Sequence, residues 1–176
     1  TILLSQWVIN MLFERTIESS PLCKLKSPRS KLYARGTNTI VYAQGYVENE
    51  KYKTRLFIFS NDPSKFLYYE YAKLNNYKYV PRIINLVRDA KNGLYFIERD
   101  ALNKIKDFKK QVKLQRVENI LRDQRQIGLD PIADELLKFW YDRSVDENID
   151  FDFSPDWLMQ TANGKIVVSD AFRRAK

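Results

Sequence analysis

The chain has no histidine, one cysteine, five glycines and six prolines in 176 residues. The lack of histidine excludes imidazole acid–base chemistry, serine–histidine nucleophile pairs and most transition-metal sites. Cys23 alone forms no intrachain disulfide and builds no zinc cluster. Any chemistry therefore rests on Asp, Glu, Lys or Tyr. No apolar run approaches the roughly 20 residues that span a bilayer. The stretch "TILLSQWVINMLF" is apolar, but it carries Gln6 and Asn10 and has neither a basic leader nor a small-residue cleavage site. It reads as an amphipathic helix with Leu4, Val8 and Met11 or Leu12 on one face, and not as a signal peptide. No internal repeat and no low-complexity tract is present.

Hydrophobic residues make up 44% and aromatics 14%, enough for a folded domain with a true core. Thirty basic residues against 22 acidic ones give a net charge of +8. That excess favours phosphate-bearing or acidic partners: nucleotide, nucleic acid or acidic protein.

Residues 20–31, "SPLCKLKSPRSK", form a basic loop with Lys24, Lys26, Arg29 and Lys31. Three strand-like segments follow: a short one near Tyr33, then Thr39–Val47, then Lys53–Ser60. Asn61 or Asp62 caps a helix in which Pro63 stands at the first position and Phe66, Tyr69 and Leu74 share a face. Glu70 falls in the middle of that helix. Lys91-Asn92-Gly93 joins two further β-rich runs as a hairpin. From Leu102 to about Gln126 the pattern is helical, with Ile105, Phe108, Val112, Val117 and Ile120 or Leu121 apolar and a kink or register change near Gln115. Gly128 ends it. Asp130-Pro131 opens a last helix to about Arg143, carrying Ile132, Leu136 and Trp140 on one face. A terminal hairpin, Leu158–Gln160 and Ile166–Ser169 around Asn163-Gly164, is flanked by Asp152 and Asp170. Helices and strands are thus segregated, as in an α+β protein, rather than alternating as βαβ units.

With the motifs "ERDALNKIKDF", "FDFSPDWLM" and "NGKIVVSDAF" in that order, the chain resembles the protein-kinase family, and within it the early serine/threonine protein kinases of podoviral coliphages. The likeness runs from about Leu32 to Phe172. The fold it implies is a reduced protein-kinase-like α+β fold. It has an antiparallel five-stranded N-lobe with one helix, and a truncated helical C-lobe ending in a β-hairpin. The corresponding divisions are 1–31, an N-terminal helix and basic loop; 32–101, the N-lobe; and 102–176, the C-lobe with the catalytic-loop-like segment. Six residues follow Asp170, so an activation segment is expected to be missing.

The resemblance also implies roles. Asp152 stands where the family's catalytic-loop Asp accepts a substrate hydroxyl proton, and Asp170 where a metal Asp holds magnesium. Gly36 and Val41 stand at the reduced glycine-rich loop and the adenine-covering position, and Glu70 at the helix Glu. The departures are large. Trp157 occupies the place of the second metal ligand, yet indole offers only a donor. Trp157 reads as a core residue, or alternatively as a stacking platform for a base. Ile58 stands where the family's phosphate-gripping Lys would be, with Lys53 and Arg55 elsewhere on the same strand. The expected function is a kinase-like protein impaired in catalysis that acts by binding a host or partner macromolecule. No cofactor is expected, with ATP and magnesium entering if the kinase reading holds. Two alternatives stand beside it. One is an active atypical kinase using Asp152 and Asp170, with Lys53 or Arg55 replacing the missing Lys. The other is a nucleic-acid-binding module contacting phosphates through Lys53, Arg55, Lys106, Lys109, Lys110 and Lys113. No membrane association is expected, and the expected location is the cytoplasm, that of a host cell if the phage likeness holds.

Overall fold

The computed structural model describes residues 2–142, 146–154 and 156–175, with side chains from residue 5 onward. These residues cluster into two compact units. The first is Thr1–Phe66 with Arg82–Ala101, the second Leu67–Pro81 with Leu102–Lys176.

The first unit is built on one antiparallel sheet. Its strands are β1 (Lys31–Arg35), β2 (Thr39–Glu48), β3 (Lys51–Ser60), β4 (Ile83–Asp89) and β5 (Leu94–Asp100), in the order β1-β2-β3-β5-β4. β2 and β3 are joined by Asn49-Glu50, both at positive φ, the conformation that matches the twist of a two-residue hairpin. Gly93, also at positive φ, closes the β4–β5 turn as expected. Helix α1 (Ile2–Ser19) lays Phe13 and Ile17 on the sheet, where they meet Ile40, Phe57, Phe59, Leu94 and Phe96. Period-2 alternation puts this whole set on one face. The buried face of α1 is therefore not the expected Val8–Leu12 stripe. Val8 and Leu12 are exposed, Met11 is half-buried, and the side chain of Leu4 lies outside the described residues. A Ser-capped 3₁₀ turn at Pro21–Leu25 follows, and the Ser20 hydroxyl donates to Asp89 at 2.6 Å.

Beyond its apolar half, the same sheet face turns charged. Lys53 donates to Glu48 at 2.7 Å, Arg82 reaches Glu48 and Asp100, and the Tyr46 hydroxyl donates to Asp100 at 2.5 Å. The Lys53 and Arg82 hydrogen bonds hold the Glu48 carboxyl down at about 2, below its ordinary 4.5. A depressed carboxylate contributes stability that is complete above its unfolded value and is lost as pH falls through its folded value. Glu48→Gln should therefore lower the melting temperature above pH 4.5, and the gap to the native chain should close as pH approaches 2. A pH series of thermal melts on both chains checks this.

Helix α2 (Ser64–Leu74) begins where Asp62 accepts the Ser64 N–H at 2.9 Å. Its Phe66 ring packs on Tyr95 in the first unit. Farther along, Tyr68, Tyr69 and Ala72 are buried in the second unit, while Leu74 is exposed, against expectation. Being the last residue of the helix, Leu74 has no further turn to fold it back.

In the second unit, residues 102–107 are not helical, and Asn103 pairs with Gln160. Helix α3 (Phe108–Asn119) starts at its Asp107 cap. Ile105 is buried ahead of the helix, but Phe108 is 78% exposed and Val112 is also exposed, so within α3 the expected apolar face begins only at Val117. The irregularity is a π turn at Ile120–Gln124, downstream of the expected kink at Gln115, and Arg125 in the left-handed region ends it before Gly128. Helix α4 (Pro131–Tyr141) is capped by Asp130 as expected and buries Ile132, Leu136, Leu137 and Phe139. Its expected end at Arg143 lies outside the described residues. Two short antiparallel pairs complete the unit: β6 (Ile149–Phe151) with β9 (Phe172–Arg174), and β7 (Leu158–Gln160) with β8 (Ile166–Val168). The architecture is the expected α+β one, with a five-stranded antiparallel sheet and a β7–β8 hairpin near its end. Among the described residues no helix is long and apolar enough to cross a membrane.

Candidate functional site

The β6–β9 ladder answers what the two flanking acids share. Phe151 stands opposite Phe172, and the Asp152 N–H donates to the Ala171 carbonyl at 2.8 Å. Asp152 is thus the first residue past β6, and Asp170 the second residue before β9. The two positions meet at one end of one ladder, although seventeen residues of loop and hairpin separate them. Asp152 is half-buried and Asp170 exposed.

The backbone around Asp170 is pinned by its neighbour. The Ser169 N–H donates to the Trp157 carbonyl at 2.8 Å, and the Ser169 hydroxyl donates to the same carbonyl at 3.0 Å. From α2 the buried Tyr69 hydroxyl donates to the Ser169 carbonyl. Glu70, the next residue on α2, is half-buried. The ladder itself rests on an aromatic stack: the Phe172 ring lies 4.6 Å from Phe139, 5.1 Å from Phe151 and 5.2 Å from Tyr68.

Trp157 is 2% exposed and its indole N–H has no partner. A ring so buried presents no face to a base, which excludes the stacking platform and leaves the core reading. It offers no lone pair to a metal ion. Among the described residues no three acidic or thiol groups gather as a cation site. Of the two positions that the resemblance implies as metal ligands, Asp170 is a carboxylate and Trp157 an indole, so the described residues do not fit a nucleotide held through two metal ions.

In the first unit, Val41, Ile58 and Ile97 stand side by side across β2, β3 and β5. Ile58 is 1% exposed. Lys53 and Arg55 alternate with it, so they belong to the opposite face of β3, with Phe57. Both are engaged there, Lys53 with Glu48 and Arg55 over the Tyr46 ring at 4.4 Å. Neither is placed to stand in for a lysine at Ile58. Gly36 closes the β1–β2 turn, its N–H donating to the Thr39 carbonyl at 2.7 Å. A side chain there would meet only ordinary contact, at 3.8 Å from that carbonyl, so the turn does not require glycine.

The basic helix is partly spent on the fold. Lys110 donates to Gln160 at 3.0 Å and to the Gly164 carbonyl at 2.8 Å, clamping the β7–β8 turn. Arg122 pairs with Glu118 and covers the Phe153 ring at 4.7 Å. Lys106 and Lys109 are exposed and Lys113 is half-buried. The residues that position Asp170, namely Tyr69 and Ser169, gave no sequence signal of their own. Strands β6 and β9 are three residues each, too short for periodicity to mark.

No protein-family model matches the chain, and no curated protein matches it. Among solved structures it is similar to a thermostable mutant of aminoglycoside phosphotransferase APH(4)-Ia in ternary complex with AMP-PNP and hygromycin B. That similarity has 12% identity and a TM-score of 0.43, over 92% of this chain and 72% of that one. A second thermostable mutant of the same phosphotransferase, in ternary complex with ADP and hygromycin B, is similar at 8% identity and a TM-score of 0.42. The match covers 94% of this chain and 72% of that one.

Proposed function

We propose that the chain is a kinase-like protein impaired in phosphoryl transfer, which acts by binding a partner protein. The observation that carries this reading is the buried indole of Trp157 beside the Asp152–Asp170 ladder. The strand order β1-β2-β3-β5-β4, α2 between β3 and β4, and two acids flanking a hairpin support the kinase-like scaffold. The apolar Ile58 and the engaged Lys53 and Arg55 support the loss of phosphate grip. Phosphoryl transfer depends on positioning and charge neutralisation, so a scaffold lacking both of these contacts retains shape without rate.

A thermal-shift titration with ATP and magnesium tests the reading. The melting temperature should stay unchanged. A rise of several degrees that Asp170→Ala abolishes would show that the nucleotide is held after all.

A further inference from the structure

The charged half of the α1-covered sheet face contains a recess of about 330 Å³, lined by Leu25, Ser27, Gln44, Tyr46, Arg55 and Phe57, with Glu98 at its wall. All of these residues belong to the first unit. The Arg55 Nε–H is buried without a partner. The nearest Glu98 oxygen lies 3.7 Å from the Arg55 guanidinium, beyond hydrogen-bond reach, although the Glu98 side chain is only 14% exposed. The Gln44 amide has no partner among the described residues. By contrast, the Tyr46 hydroxyl is committed to Asp100 and Arg82, and its ring to Arg55. The recess is thus lined by a guanidinium, a carboxylate and an amide whose hydrogen-bonding capacity is not fully used.

Charge narrows the ligand. Glu98 repels a phosphate placed inside and Arg55 repels a cation, so the occupant is neutral. It must set an acceptor toward Arg55 beside donors toward Glu98. Its body must fit a recess walled by Leu25, Tyr46 and Phe57. Guanine carries that sequence on one edge: a carbonyl oxygen, a ring N–H and an exocyclic amine, one acceptor followed by two donors for the two carboxylate oxygens. Adenine offers one amine donor there. The volume accommodates a purine. The segment that walls the recess also carries Lys24, Lys26 and Arg29, which suit a phosphate outside it. Lys26 lies over the Tyr42 ring at 4.7 Å, two residues along β2 from Gln44 and on the same face.

We infer that this recess binds a guanine nucleotide through Arg55, Glu98 and Gln44, at a site separate from the carboxylate pair. Calorimetric titration of the full chain with GMP and with AMP, in EDTA at low salt, tests it. The chelator silences any magnesium-nucleotide binding at Asp170, so failure here and failure of the kinase-like reading are distinguishable. GMP should bind, and AMP at least about tenfold more weakly, as expected where a charged hydrogen-bond pair is lost. Glu98→Gln keeps the shape and removes the charged acceptor, and should weaken GMP by about tenfold or more. Arg55→Lys, which keeps the charge but not the Nε donor, is the second variant should the first fail to fold. No GMP binding at millimolar concentration overturns the inference. So does equal binding of GMP and AMP, binding of inorganic phosphate as tight as GMP, or indifference to both variants.

Discussion

Phe172→Ala is expected to lower the unfolding free energy by about 3–5 kcal/mol, the cost of emptying a buried aromatic site. The position is 2% exposed, and its ring meets Tyr68, Phe139 and Phe151 within 5.2 Å. Those three partners come from three different elements, α2, α4 and β6. No single neighbour can move to fill the void without losing its other contacts, so collapse is limited. The same ring is the Cα partner of Phe151 in the ladder that brings Asp152 and Asp170 to one end. Removing it should also loosen that register, seen as faster amide exchange at Asp152, whose N–H donates to Ala171. Phe108→Ala is the matched control, because that ring is 78% exposed. Its effect should stay within about 0.5 kcal/mol. Urea unfolding followed by fluorescence measures both; equal effects from the two variants would show that the Phe172 stack does not hold the unit together.

Much of the first unit was legible in the sequence because its strands are long and its turns carry explicit chemistry. The alternation through Lys53–Ser60 and the Asn-Gly signal at Asn92-Gly93 each mark an element that the structure contains. The capping Asp130 before Pro131 did the same for α4. Where periodicity was read without knowing which face would be covered, it misled. α1 offers apolar residues almost all round, and only the sheet decides that Phe13 and Ile17 are the buried ones. Phe108 and Val112 fit a helical stripe, yet the unit turns that part of α3 to solvent. At the candidate site, the positions of Asp152, Asp170 and Trp157 were visible as a spacing. Their assembly was not, because it depends on two three-residue strands and on a hydroxyl reaching from α2, Tyr69 to Ser169. The fate of Lys53 and Arg55 is a matter of strand parity. Both stand at odd separations from Ile58 on one continuous strand, so alternation alone puts them on the opposite face, and what the sequence did not show is that Glu48 and Tyr46 engage them there.

Phosphoryl transfer by this chain is expected to be lower than that of a complete kinase-like site by about four to six powers of ten. Each missing electrostatic contact is worth about two to three powers of ten when the two act independently. On the proposed reading, one is the second metal ligand, whose position the buried Trp157 takes, and the other is the strand lysine, whose position Ile58 takes. Neither Lys53 nor Arg55 on β3 makes up the second deficit. Lys53 is held by Glu48 and Arg55 by Tyr46, and the indole of Trp157 has no acceptor atom to offer a cation. What remains is the pair of carboxylates at the end of the β6–β9 ladder. The decisive measurement is labelled-phosphate transfer from ATP with magnesium, to the chain itself and to generic protein acceptors, comparing the native chain with Asp152→Asn. The two should be indistinguishable from the background without protein. Transfer by the native chain that Asp152→Asn removes would contradict the account, since it would mean that these two acids perform the chemistry without the contacts it requires.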